Sequence, residues 1–168
     1  TTWNMTDYVH NETALLRKLT PDVPITTNLM EYFPGLDYHV LQKELDFVSW
    51  DSYPHWGRPD RSITTTFAMT AFDHALIRGC KRDVPFFTME STPSLVNWHD
   101  YNKLKRPGVN RLQGLQTVAC GGDGVQYFQW RKGRGGTEQW HGAVVDHDGR
   151  DDTRVFKDVT ETNAALNA

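Results

Sequence analysis

The chain has 168 residues, enough for one domain with a real core. Its 21 acidic residues against 18 basic ones leave a formal charge of −3, which offers no attraction to a nucleic-acid backbone. No apolar run approaches the roughly 20 residues of a membrane-spanning helix, no signal-peptide pattern is present, and a start at Thr1 rather than Met reads as a processed or partial chain.

In chain order, residues 11–18 read as the end of a helix, broken by Pro21 and Pro24. The β-branched run 24–28 predicts a short first strand. Apolar residues at Tyr38, Leu41 and Leu45 recur at helical spacing, so a helix is expected over 38–44. A second strand is expected over 47–53, stopped by Pro54. A polar loop follows, in which Arg58, Asp60 and Arg61 read as solvated charges. Residues 64–78 carry an apolar stripe of Phe67, Ala68, Ala71, Phe72, Ala75 and Leu76 and predict an amphipathic helix closed by Gly79. The third strand is expected over 85–89. A helix over 107–119 follows, with Pro107 near its first turn and Gly121-Gly122 as its stop. The fourth strand is expected over 125–130. A last helix starts near Asp151 to Thr153 and covers Val155, Phe156 and Val159.

Strands alternating with helices argue for a parallel sheet under helical cover, an α/β fold. Both doubly wound sheets and (β/α)8 barrels fit. No Gly-x-Gly-x-x-Gly follows a strand and no phosphate-binding Gly-rich loop ending in Lys-Ser/Thr is present, which disfavours nucleotide binding. Cys80 and Cys120 belong to no Cys/His cluster; they read as half-buried free thiols and fit a reducing, cytoplasmic setting.

Polar and aromatic residues recur at the strand ends: Asn28; Asp51 and Tyr53; Glu90; Gln129 and Trp130. Carboxyl ends of parallel strands are where α/β folds display chemistry. Glu90 stands out, because an apolar run ends on its carboxylate and small polar residues with a proline follow at once. Trp50, Trp56, Trp98, Trp130 and Trp140 lie at or just past expected strand ends, where flat rings suit partly apolar ligands such as sugars.

Five segments together carry a resemblance: Phe47-Val-Ser-Trp-Asp-Ser-Tyr-Pro54; Met89-Glu-Ser-Thr-Pro-Ser94 with Val96-Asn-Trp98; Lys105-Arg-Pro-Gly108; Tyr127-Phe-Gln-Trp-Arg131; and His141-Gly-Ala-Val-Val-Asp-His147. In this order they resemble glycoside hydrolase family 42, the β-galactosidases, over nearly the whole chain. The resemblance implies residues 1–168 are the second half, strands five to eight, of a (β/α)8 barrel. It implies retaining hydrolysis of terminal β-D-galactosides by two glutamates, with Glu90 the nucleophile at the end of strand seven. Tyr53 matches the tyrosine that donates to the nucleophile, Trp98 a galactose-contacting tryptophan, and Glu138 and His141 the pair that bonds sugar hydroxyls. Trp130 is expected on the floor of the sugar site. Asp51 reads as a third carboxylate or as a structural hydrogen-bonding residue.

The acid/base would be an Asn-Glu pair on strand four, before residue 1; Asn11-Glu12 lies on a helical stretch and does not match it. The chain alone is therefore expected to be inactive. No cofactor is implied, and the family's cysteine-cluster metal site belongs to the other half. A metal set of Glu138, His141 and His147 is a poor reading, since the ligands are not tightly grouped. A half-barrel leaves two sheet edges uncovered, so self-association or a family trimer is expected. The rival readings are a non-catalytic sugar-binding half-barrel and a retaining glycosidase with a different sugar.

Overall fold

The computed structural model describes residues 1–168. The elements are α1 (Thr2–Leu19), β1 (Asn28–Leu29), α2 (Tyr38–Leu41) running into a 3-10 turn (Gln42–Glu44), β2 (Ser49–Ser52), α3 (Ile63–Cys80), β3 (Phe86–Ser91), α4 (Val109–Ala119), β4 (Gly122–Val125) and α5 (Arg154–Leu166). Helix starts follow from local chemistry. The side chains of Thr1, Asp37, Ser62 and Thr153 each accept a hydrogen bond from a backbone N–H of the first turn they precede.

The strands form one parallel sheet in the order β1-β2-β3-β4, so each strand is followed by a helix and pairs with the next strand. Its helix-facing side buries Leu29, Leu41, Val48, Trp50, Ile77 and Phe86 in one cluster. Cys80 and Cys120 pack against that cluster as free thiols. Trp50 is fully buried, with its ring edge-on to the His74 imidazole at 5.2 Å, and His74 in turn lies against Phe86. Expected at a loop mouth, Trp50 is instead a central core residue, because the strand continues past it and its side chain points to the helices. Burial holds His74 neutral, with its pKa pushed down to about 4.

Two strands differ from expectation. The first is Asn28–Leu29 rather than 24–28, because Ile25 and Thr26 meet residues 46–47, ahead of β2, largely through side-chain bonds rather than a continuous ladder. Ile25 N donates to Asp46 Oδ2 at 2.7 Å and Thr26 Oγ1 to Phe47 O at 2.8 Å. The fourth is Gly122–Val125 rather than 125–130. The glycine pair reads as a helix stop, but Gly122 is already strand: a Cβ there would sit 2.7 Å from Thr117 and 3.0 Å from the Phe86 ring. Beyond Val125 the chain still follows β3, with Gln126 N donating to Thr88 O and Phe128 N to Ser91 O, and then pairs with the segment at Val145.

The β2–β3 pairing contains the feature that matters most for the cavity. Ser49 pairs with Phe87 and Trp50 with Thr88, but Asp51 pairs with Glu90. Met89 is the extra residue of a β-bulge, and past it the side-chain alternation of β3 is reversed. Glu90 therefore shares a face with Asp51, away from Trp50, while Ser91 turns to the helices. No helix is long and apolar enough to cross a membrane.

Truncating the core ring, Trp50→Ala, is expected to lower the unfolding free energy by about 3–5 kcal/mol in urea titration. A loss under about 1 kcal/mol would contradict its central place.

Candidate active site

At the carboxyl ends of the strands lies a cavity of about 480 Å³, lined by Met30, Glu31, Asp51, Tyr53, His55, Glu90, Trp98, His99, Phe128, Glu138 and His141. The volume suits a small organic ligand. Five of the six expected site residues meet here: Glu90, Tyr53, Trp98, Glu138 and His141. Trp130 does not. It is 68% exposed and outside the cavity, and Phe128 takes that corner, because β4 ends early and the chain reaches the rim three residues beyond Val125.

Glu90 is held by Tyr53, whose hydroxyl donates to Glu90 Oε2 at 2.8 Å. Burial, then the accepting Glu90 and its charge, push the Tyr53 phenol far above its ordinary value, so it stays a donor. Oε1 of Glu90 accepts no hydrogen bond from the chain. Tyr53 itself is packed at right angles to Trp98 at 5.4 Å and to His141 at 5.7 Å. The ring contacts continue from His141 to Phe128 at 5.0 Å, from Trp98 to His99 at 4.6 Å, and from His99 to His55, stacked at 3.8 Å. Trp98 remains 55% exposed.

Two further carboxyls share the cavity. Asp51 Oδ2 accepts from Asn28 Nδ2 at 2.8 Å while Oδ1 is buried without a partner. Burial, reinforced by the Glu90 charge and opposed by the Asn28 bond, raises Asp51 to about 6. Glu31 is an exposed residue whose carboxyl turns inward to accept from the Tyr53 amide at 3.3 Å. Desolvation raises it to about 7, with the Asp73 charge adding and the amide bond opposing. The two stacked histidines stay neutral. Burial lowers both, helped at His55 by Arg58 and Arg61 and at His99, which falls to about 4, by His55 and His141.

Other residues singled out in the sequence lie elsewhere. Arg58 and Asp60 form a pair open to water. Trp140 is 64% exposed against His147, and Trp56 packs on Phe67. Glu12 lines a separate apolar groove between α1 and β1. His147 bonds Gly133 O rather than joining Glu138 and His141, and no group of three His, Cys, Asp or Glu could hold a metal ion. Nothing in the sequence points to Glu31, His55, His99 or Phe128 as site residues. Phe128 shows there only as an apolar residue in the fourth strand run.

The β-galactosidase model of glycoside hydrolase family 42 matches residues 1–168. The chain belongs to glycoside hydrolase family 42. A β-galactosidase of Clostridium perfringens is 48% identical over 163 residues, covering 95% of this chain and 24% of that protein. The solved structure of Gan42B, a family 42 β-galactosidase, superposes with a TM-score of 0.95 at 48% identity, covering 98% of this chain and 25% of that one. The cold-adapted β-galactosidase from Rahnella sp. R3 gives 0.94 at 49% identity, covering 99% and 24%. This family 42 chain thus spans about a quarter of the length of the relatives it matches.

Asp51 provides a pH test. Its folded pKa near 6 lies above the ordinary 3.8, so the folded form binds more protons between those values. Raising the pH through that window therefore costs stability. Asp51→Asn should remove the cost: relative to wild type its melting temperature climbs from about pH 4 to about pH 6 and the gap then stays constant. Parallel curves would contradict the assignment.

Proposed function

We propose that the chain is the nucleophile-bearing part of a retaining β-galactosidase, strands five to eight of a (β/α)8 barrel. In this reading the whole protein hydrolyses terminal β-D-galactosides through a covalent glycosyl intermediate. The observation that carries it is the Tyr53–Glu90 hydrogen bond inside a cavity walled by Trp98, Glu138 and His141, in a chain of family 42.

The chemistry follows from that geometry. Tyr53 holds Glu90 Oε2, which orients the carboxylate and leaves Oε1 to attack the anomeric carbon. The exposed ring of Trp98 stacks on the apolar face of the sugar. Glu138 and His141 bond its hydroxyls. A retaining mechanism needs a second carboxyl about 5–5.5 Å from the first, to protonate the leaving oxygen and then activate water. In this reading it comes from the other half of the barrel. Burial raises Asp51 to about 6 and Glu31 to about 7, so near neutrality Glu31 is partly protonated, which limits the negative charge around Glu90 before substrate binds.

The test uses a nitrophenyl β-D-galactoside. The chain alone is expected to release nitrophenol at the blank rate. Supplied with the part of the Clostridium perfringens relative that precedes the matching region, it is expected to turn over, and Glu90→Gln to abolish that turnover. Activity of the chain alone, lost in Glu90→Gln, would overturn the half-site reading; restored activity that survives Glu90→Gln would overturn the nucleophile. Galactose binding with no turnover in any combination would favour a sugar-binding half-barrel.

The open sheet ends at β1 and β4, and α1 exposes Trp3, Tyr8, Leu15, Leu16 and Leu19. Surfaces of this kind favour association. Light scattering on the isolated chain is expected to give a mass above 19.3 kDa; a clean monomer with a cooperative melt would argue against it.

A further inference from the structure

Lys105 is 2% exposed, and no carboxylate reaches its ammonium. Nζ donates instead to three neutral oxygens: Thr92 O at 2.5 Å, Gln113 Oε1 at 2.5 Å and Asn110 Oδ1 at 3.4 Å, with the Trp56 ring centroid 5.9 Å away. A buried cation without a counter-ion is costly, and a side chain that served only to fill space here would be apolar.

Two of these three oxygens, on Thr92 and Gln113, lead to the turn that follows Glu90. Gln113 relays to Ser91, its Nε2 donating to Ser91 Oγ at 2.9 Å. The Lys105 amide donates to Ser94 O at 3.1 Å, and Phe128 N donates to Ser91 O. Residues 91, 92 and 94 are thus all pinned, and Lys105 makes two of these bonds and supports a third. The same turn seats the far wall. Gly142, next to His141, comes so close that a Cβ would lie 2.4 Å from Ser94 Oγ and 2.7 Å from Thr92 Oγ1. The cluster sits between β3 and α4, away from both sheet edges.

We propose that Lys105 is a positioning residue: by clamping the Ser91–Ser94 turn it holds the Glu90 carboxylate, past its bulge, where Tyr53 can bond it. The consequence for catalysis rests on Glu90 being the nucleophile; the positioning itself does not. Burial supports a role that changes near neutrality, since it lowers the ammonium to about 7. A neutral amine has two protons for three acceptors. The groups facing it from α4 and the β3 turn are uncharged. On α5, Arg154 donates to Lys105 O and pairs with Asp158; Tyr127 stands behind Asn110, and Arg61 and Lys103 lie beyond Trp56.

The experiment reads the Tyr53–Glu90 bond by NMR, through the Tyr53 ring carbon that bears the hydroxyl, assigned with Tyr53→Phe. In Lys105→Met this signal is expected to shift or split while circular dichroism keeps its helical form. Val159→Ala, a core truncation on α5, is expected to leave it in place. A second arm does not need Lys105→Met to fold. In wild type the Tyr53 signal and the Lys105 Cε signal should titrate together; Gln113→Glu, which gives the ammonium a carboxylate, should move both midpoints up by more than about one pH unit. A Tyr53 signal that ignores Lys105 in both arms, or that moves equally in Val159→Ala, overturns the proposal. None of these signals requires turnover, so failure of the glycosidase reading would appear only in the nitrophenol assay.

Discussion

One inserted residue in β3 decides what the cavity contains. In an unbroken strand, side chains alternate, and Glu90 would fall on the side of Phe86 and Thr88, against the helices. A carboxylate there would be buried against the helices, at a cost in desolvation, and lost to the cavity. The bulge at Met89 turns it the other way, opposite Asp51 and under the hydroxyl of Tyr53. The bulge also leaves Ser91 on the helix side, where Gln113 and, through it, Lys105 can hold it. The display of one carboxylate and the anchoring of the turn behind it are two results of the same irregularity.

The electrostatics of the cavity follow from burial more than from ion pairing. Four carboxyls line it, yet the cations nearest the wall, Arg58 and Arg61, act on His55 rather than on the carboxyls. Desolvation raises Asp51 and Glu31 and lowers His55 and His99, so both residue types drift toward neutrality. A lining rich in hydrogen-bonding groups, with one carboxylate oriented by Tyr53, suits a polyol.

Much of the arrangement was legible in the sequence. The strand–helix alternation gave the parallel sheet, and the break from apolar to small polar residues after Glu90 marked a strand end. Side-chain direction was not legible. Trp50 sits three residues before Tyr53 near a proline and reads as a rim residue, yet it is the core of the sheet. Trp130 reads as a floor residue, but β4 already starts at Gly122 and hands that place to Phe128. Lys105 lies in a basic run with Lys103 and Arg106. Only the fold shows that the middle member of the run is enclosed. His55 and His99 come from different loops, 44 positions apart in the chain, and nothing local announces that they stack.

The rings around Glu90 form an unbroken series, from Phe128 through His141, Tyr53, Trp98 and His99 to His55. Each is oriented by the edge or face of the next, so the wall behaves as one mechanical piece. Contacting side chains do not respond independently to substitution. Re-engineering the cavity for another ligand is therefore a problem of exchanging neighbouring rings in sets. A route of single changes passes through intermediates in which Tyr53, the ring that touches Glu90, has lost the support on one of its sides.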